Sequence, residues 1–120
     1  MHKVEKSWGK EVWLCNNELY CGKILYLDQG KYCSFHYHKR KTEDFYILFG
    51  VIILEVQKPG EPIRQLIAMG AGDSIHIDPG TKHRFIGISD NTAIIETSTQ
   101  HFDDDSYRDE PSCPVDKEGE

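Results

Sequence analysis

No stretch of this 120-residue chain approaches the ~20 consecutive apolar residues needed to cross a bilayer as a helix. The opening residues, MHKVEKSWGKEVW, lack the apolar core of a signal peptide. These two absences give the expectation of a cytoplasmic protein with no membrane partner. A basic excess is also missing. The first hundred residues carry twelve charges of each sign, and the net charge of −6 comes from the last twenty residues, with eight acids and two bases. No basic stripe is left for a phosphate backbone, so nucleic acid is not an expected partner. Cysteine is sparse. Cys15, Cys21, Cys33 and Cys113 form no C-x-x-C pair, and free thiols are expected in a chain without a leader. Finally, no segment of useful length carries a helical period.

What the chain does contain is a series of short segments rich in Val, Ile, Tyr and Phe, separated by turn residues. EVWLC, ELYCGKILYL, KYCSFHYH, DFYILFG, VIILEVQ, IRQLIAM, SIHI, HRFIGI and AIIETST give about nine strands. Asn16-Asn17, Asp28-Gln29-Gly30, Pro59-Gly60, Gly70–Asp73, Asp78-Pro79-Gly80 and Asp90-Asn91 punctuate them. So many strands in one small domain favour a sandwich or a closed barrel, which hides strand edges. The expectation is one all-β barrel domain over residues 1–110. An acidic, poorly ordered tail over 111–120 is expected to follow it.

One strand-like stretch carries chemistry. Side chains at i and i+2 of a strand share a face, so His36 and His38 project together, with Tyr32 and Ser34. Cys33, Phe35 and Tyr37 are expected on the other face. Glu43 follows after the polar turn KRKT, which lets the chain reverse and places Glu43 on the next strand, facing inward with Phe45 and Ile47. Two imidazoles and a carboxylate suit a metal with open coordination positions. His83 opens a later strand behind the Pro79-Gly80 turn, but spacing alone does not bring it to the same place.

Gly30, His36-x-His38, Glu43 and Gly50 fall at the spacing of the first motif of the cupin superfamily, which the chain resembles. Gly72 through His83 resembles the second motif. The resemblance implies a jelly-roll β-barrel that holds one divalent cation on His36, His38, Glu43 and His83. The cation is one of Zn, Fe, Mn, Co or Ni, since this donor set suits them all. Further marks are similar to the type II mannose-6-phosphate isomerase cupin domain: KSWGKEVWL, TKHRF and IIETSTQHFDDDSYRDE.

That similarity implies a sugar-phosphate isomerase or epimerase in which the cation stabilises an enediolate. Its substrate would be a sugar phosphate or nucleotide sugar. The alternatives are an Fe(II)-dependent dioxygenase and a non-catalytic sugar-binding cupin. Glu43, Glu96, Lys82 and Arg84 are the candidates for proton transfer or phosphate contact. Strand parity from His83 sends Lys82 and Arg84 outward, whereas Glu96 sits in an apolar strand where a carboxylate needs a partner. Tyr32, Phe45, His76 and Arg108 are the candidate pocket residues. Small cupins commonly pair, so a homodimer is expected.

Overall fold

The computed structural model describes residues 2–115 and contains eleven strands and one short 3₁₀ turn among them. The strands are β1 (His2–Lys6), β2 (Gly9–Asn16), β3 (Cys21–Leu27), β4 (Phe35–Tyr37), β5 (Glu43–Phe49), β6 (Val51–Gln57), β7 (Gln65–Gly70), β8 (Ser74–Ile77), β9 (Lys82–Gly87), β10 (Ala93–Ser98) and β11 (Tyr107–Glu110). They form two antiparallel sheets. One has the order β1-β2-β3-β10-β5-β8 and the other β11-β4-β9-β6-β7. The all-β jelly-roll expectation holds. All nine expected strands are present, and the polar strands β1 and β11 are additional. HKVEK and YRDE have too few apolar residues to announce a strand, and each is held by pairing with a neighbour, β2 or β4.

The core lies between the sheets and follows from period-two patterning. Along β3 every second residue is buried (Cys21, Lys23, Leu25 and Leu27), and along β6 Ile52, Leu54 and Val56 are buried. Ile47, Phe85 and Ile94 complete the packing at the centre. Turn chemistry matches the punctuation. The Asn17 side chain accepts from the backbone N–H groups of Leu19 and Tyr20, closing the β2–β3 hairpin as an Asx turn. Gly50, between β5 and β6, has φ +93°, and a Cβ there would lie 2.3 Å from Thr92 Oγ1. Only glycine fits that corner.

Two expectations need correction. The stretch 31–38 is not one continuous strand: regular pairing begins at Phe35, and Tyr32 makes only an isolated bridge to Ile86. The solvated end expected from Pro111 is interrupted by Cys113. This residue is buried in the core cluster, and its N–H donates to the Tyr32 carbonyl at 3.1 Å. The rest of that expectation, over 116–120, lies outside the described residues. No helix among the described residues is long and apolar enough to cross a membrane.

Candidate metal centre

The two motif segments meet through strand pairing. His36 on β4 and His83 on β9 are direct cross-strand partners. The Pro79-Gly80 turn is anchored beside them, because the Gly80 N–H donates to the His38 carbonyl at 2.7 Å. The turn after His38 is held from far away in the chain. Asp105, at the end of the 3₁₀ turn Asp103–Asp105, accepts from the backbone N–H groups of Lys39, Arg40 and Lys41. These bonds hold the Asp105 carboxyl below its ordinary pKa although burial opposes them.

The imidazoles of His36, His38 and His83 bring one ring nitrogen each to within 4.8 Å of one another. Their Nδ1 atoms face backbone carbonyls: Ser34 at 2.8 Å, Asp105 at 2.8 Å and Thr81 at 3.0 Å. A carbonyl only accepts, so each neutral ring carries its proton on Nδ1 and presents a bare Nε2. Three rings locked in that tautomer by carbonyls are prepared for a cation. His83 Nε2 and Glu43 Oε2 are both buried, lie 3.1 Å apart and have no hydrogen-bond partner. With the proton on Nδ1 both atoms are acceptors, and a shared cation would satisfy the pair. The donor set therefore fits a divalent metal.

Without the cation, charge sharing falls on this pair. Burial opposes it, but the Glu43 carboxylate still raises the His83 pKa above its usual value. The Glu43 carboxyl is held well below its own despite burial, through His83, His38 and Lys41. Burial and the adjacent His83 push His36 well below the ordinary imidazole value, which favours the neutral ligand form.

A buried acid–base cluster adjoins the rings. Lys41 Nζ lies 3.0 Å from Glu43 Oε1, 2.8 Å from Glu96 Oε2 and 3.1 Å from His101 Nδ1. Burial lowers the Lys41 pKa, but the two carboxylates override it and hold the ammonium charged. His101 has Nδ1 facing Lys41 and Nε2 facing Asp103, and burial, with Lys23 and Lys41 nearby, lowers its pKa to about 4. These groups and the three imidazoles line one cavity of about 470 Å³, within the size range of small-molecule sites.

The structure sorts the other expected residues by face. Phe45 lines the cavity and meets Phe85 edge-on at 4.8 Å between ring centroids. Glu96 lines it too, with Lys41 as the partner its apolar strand required. Arg108 is exposed at the cavity's edge, directly opposite His36 across the β4–β11 pair. Four residues lie elsewhere. Lys82 pairs with Asp109 at 2.6 Å. Arg84 is held by Glu55 and Glu110 on the outer face. His76 is exposed between Asp44 and Asp78, at 2.8 Å from each, because β8 aligns it with the outward-facing Asp44. Tyr32 sits beneath the Arg84 guanidinium, outside the cavity lining, while Cys33, expected on the opposite face, lines the cavity. The broken strand at 33–34 explains that exchange, since period-two parity carries only through regular pairing.

Sequence reasoning did not single out Lys23 or His101, which line the cavity together with Lys41 and Trp13. A lysine in the apolar alternation of CGKILYL was the available signal for Lys23. Lys41 lies in a turn, where side-chain direction is not readable.

A β-barrel of two antiparallel sheets with three histidines and a glutamate gathered beside an interior cavity defines a barrel with a donor set fit for a metal ion. The family model described as "Cupin domain" matches residues 23–97, and the chain belongs to the cupin family. Among solved structures it is similar to the capsular polysaccharide assembling protein CapF from Staphylococcus aureus (15% identity, TM-score 0.79, covering 89% of this chain and 33% of that one). It is also similar to oxalate decarboxylase from Bacillus subtilis (14%, TM-score 0.80, 89% and 29%). KdgF from Halomonas sp. is comparable in length (17%, TM-score 0.68, 79% and 81%). The chain thus spans about a third of the length of CapF and of oxalate decarboxylase, and at these identities the likeness concerns the fold. No curated protein sequence matches it.

Proposed function

We propose that this cupin is a divalent-metal enzyme that isomerises or epimerises a sugar derivative, with a sugar phosphate as the first substrate to test. One observation carries the reading. The cavity beside the three imidazoles contains a second carboxylate, Glu96, that is not part of the histidine group and is paired with a buried ammonium, Lys41. Proton transfer beside a carbonyl needs a base separate from the groups that hold the cation.

His36, His38 and His83, with Glu43 beside them, would hold the metal, which supplies Lewis acidity to a carbonyl when bound. Glu96 is the base, and it lines the cavity while its Oε2 accepts from Lys41. Lys41 pairs with both Glu96 and Glu43 and, despite burial and with the neighbouring histidines, holds the Glu43 carboxyl well below its ordinary value. Phe45 gives the apolar wall against which a sugar ring packs. Arg108, at the edge, closes over bound substrate. Lys82, Arg84 and His76 have no part in this reading, because their charges are satisfied outside the cavity.

Two further proposals go with it. The exposed apolar residues Tyr46 and Leu48 on β5 and Leu66 on β7 support a homodimer, which sedimentation would detect. The four free cysteines support a reducing, cytoplasmic location.

The test is deuterium exchange at C1 and C2 of mannose 6-phosphate and fructose 6-phosphate in D₂O, with the protein loaded with Mn, Fe(II), Zn, Co or Ni. Exchange is expected with at least one metal and is lost in Glu96→Gln with metal content unchanged. Full metal loading without exchange, from either sugar and with any metal, sinks the hexose-phosphate reading. The oxygen-consuming and purely binding alternatives then take its place.

A further inference from the structure

Strand β3 places a lysine where the barrel interior calls for an apolar residue. Lys23 alternates inward with Cys21, Leu25 and Leu27, and it is only 3% exposed. A buried ammonium costs several kcal/mol unless it is paired and hydrogen-bonded. The other interior lysine, Lys41, meets that requirement with two carboxylates at 3.0 Å or less.

Lys23 does not. Its nearest carboxylate oxygen is Glu11 Oε1 at 4.0 Å, and that atom already accepts the Trp13 indole N–H at 2.8 Å. Glu96 is the direct cross-strand partner of Lys23, but its carboxylate is turned to Lys41. His101 offers no negative charge in either protonation state. Among the described residues Lys23 Nζ makes no hydrogen bond. Its one close companion is the face of the Trp13 ring, 4.0 Å from the centroid. That contact stabilises the charge but satisfies none of its three N–H donors. Lys23, Trp13 and the three imidazoles line the same cavity.

We propose that Lys23 is a specificity-determining residue: its ammonium takes an oxyanion of the substrate, a carboxylate or a phosphate, while the hydroxyl-bearing end of the same molecule faces the three imidazoles. The proposal rests on reading the cavity as the substrate site, and it defines the substrate class as small, polyhydroxylated and anionic. It also assigns a role to Trp13, which fixes the ammonium from beneath and leaves its donors toward the cavity.

The experiment titrates the full-length protein, both metal-loaded and metal-stripped, with glycerol 3-phosphate, glycerate and glycerol. Calorimetry and tryptophan emission give the affinities, and equilibrium dialysis gives metal content separately. Binding of one or both anions without metal, and none of glycerol, is expected. The tighter of the two anions identifies phosphate or carboxylate as the recognised group. Lys23→Met is expected to weaken anion binding by about tenfold or more, the loss of one charge-assisted hydrogen bond or two. Lys23→Arg stays within about threefold of wild type on the same scale.

Lys23→Met is also expected to melt a few degrees higher, because removing an under-compensated buried charge relieves its desolvation. Absence of anion binding by the wild type overturns the proposal, as does unchanged binding in Lys23→Met. So does a lower melting temperature in both variants, which would mark Lys23 as structural. Loss of metal binding with anion binding intact would instead remove the metal-enzyme reading and leave Lys23 standing.

Discussion

Two charge clusters in this barrel are built alike, one facing the interior from the sheet of β5 and β10 and the other on the outer face of the sheet of β6, β9 and β11. Inside, Lys41 bridges Glu43 and Glu96 at 3.0 and 2.8 Å. Outside, Arg84 bridges Glu55 and Glu110 at 3.0 and 2.9 Å, and Arg64 pairs with the same two glutamates. The distances hardly differ. Burial does: the inner side chains are 2–6% exposed, whereas Arg84 and Glu55 are 11 and 14% exposed and Arg64 and Glu110 are 34 and 39%. The outer cluster covers Phe35, with the Arg64 guanidinium 3.8 Å from its ring centroid, and ties β11 to the sheet. It is a clasp in which Arg64 and Glu110, at the rim, have water for an alternative partner. The inner cluster is more deeply buried and opens onto the imidazoles. Matching ion-pair geometry therefore says little about role, and burial beside a cavity says more.

The sharpest way to separate the two clusters is metal affinity. His83→Ala is expected to weaken divalent-metal binding by more than about 100-fold, beyond what loss of a supporting hydrogen bond produces. Arg84→Ala, one residue away on the outer face, is expected to leave it unchanged. Equilibrium dialysis with Mn or Zn measures both. Equal losses in the two variants would mean that the outer cluster shapes the site and that the division by face is wrong. The second effect is on stability. Lys41→Met strands two buried carboxylates and is expected to cost about 3–5 kcal/mol in urea unfolding. Adding Glu96→Gln to Lys41→Met is expected to restore part of that loss. A cost near zero for Lys41→Met would show that the cluster is far more hydrated than its burial implies.

The same two faces explain what the sequence could disclose. The strands were legible because alternation and turn residues are local, and so was the pairing of His36 with His38 on one face. Parity from His83 also sent Lys82 and Arg84 outward, which is where the structure has them, although the family likeness had drawn them into the site. His76 was assigned to the pocket without such a parity argument, and its alignment with Asp44 carries it outside. Tyr32 failed for a different reason, a break in regular strand pairing that no residue pattern announced. In the sequence Asp105 is only the last of three consecutive aspartates. Its bonds to the 39–41 backbone span more than sixty residues, and no local pattern encodes a contact of that separation.

A smaller effect tests whether the outer clasp behaves as described. Arg84→Met leaves Glu55 its second partner, Arg64, at 2.9 Å, and the partly exposed pair screens readily. A loss of about 1 kcal/mol is expected, a fraction of that for Lys41→Met. A loss as large as that of Lys41→Met would make burial a poor guide to these clusters.

The smallest effect is the dependence of the clasp on pH. Burial raises the Glu55 pKa, but hydrogen bonds and charge from Arg84 and Arg64 outweigh it, so the folded carboxyl titrates below its ordinary value. In the unfolded chain a glutamate titrates near about 4.3. The unfolded state therefore takes up its proton first as pH falls, and folding stability decreases over that interval. The Glu55 contribution is fully present above the unfolded value and disappears as pH passes down through the folded one. Urea unfolding of wild type and Glu55→Gln should differ by a constant amount from about pH 6 to 8 and converge as pH falls through the unfolded value and then the lower folded one. Subtracting the two curves removes Asp105 and every other carboxyl common to both. A difference that persists undiminished into strong acid would show that Glu55 acts through packing over the sheet. The outer cluster would then be held by its side-chain stems, and charge would be the property of the inner cluster alone.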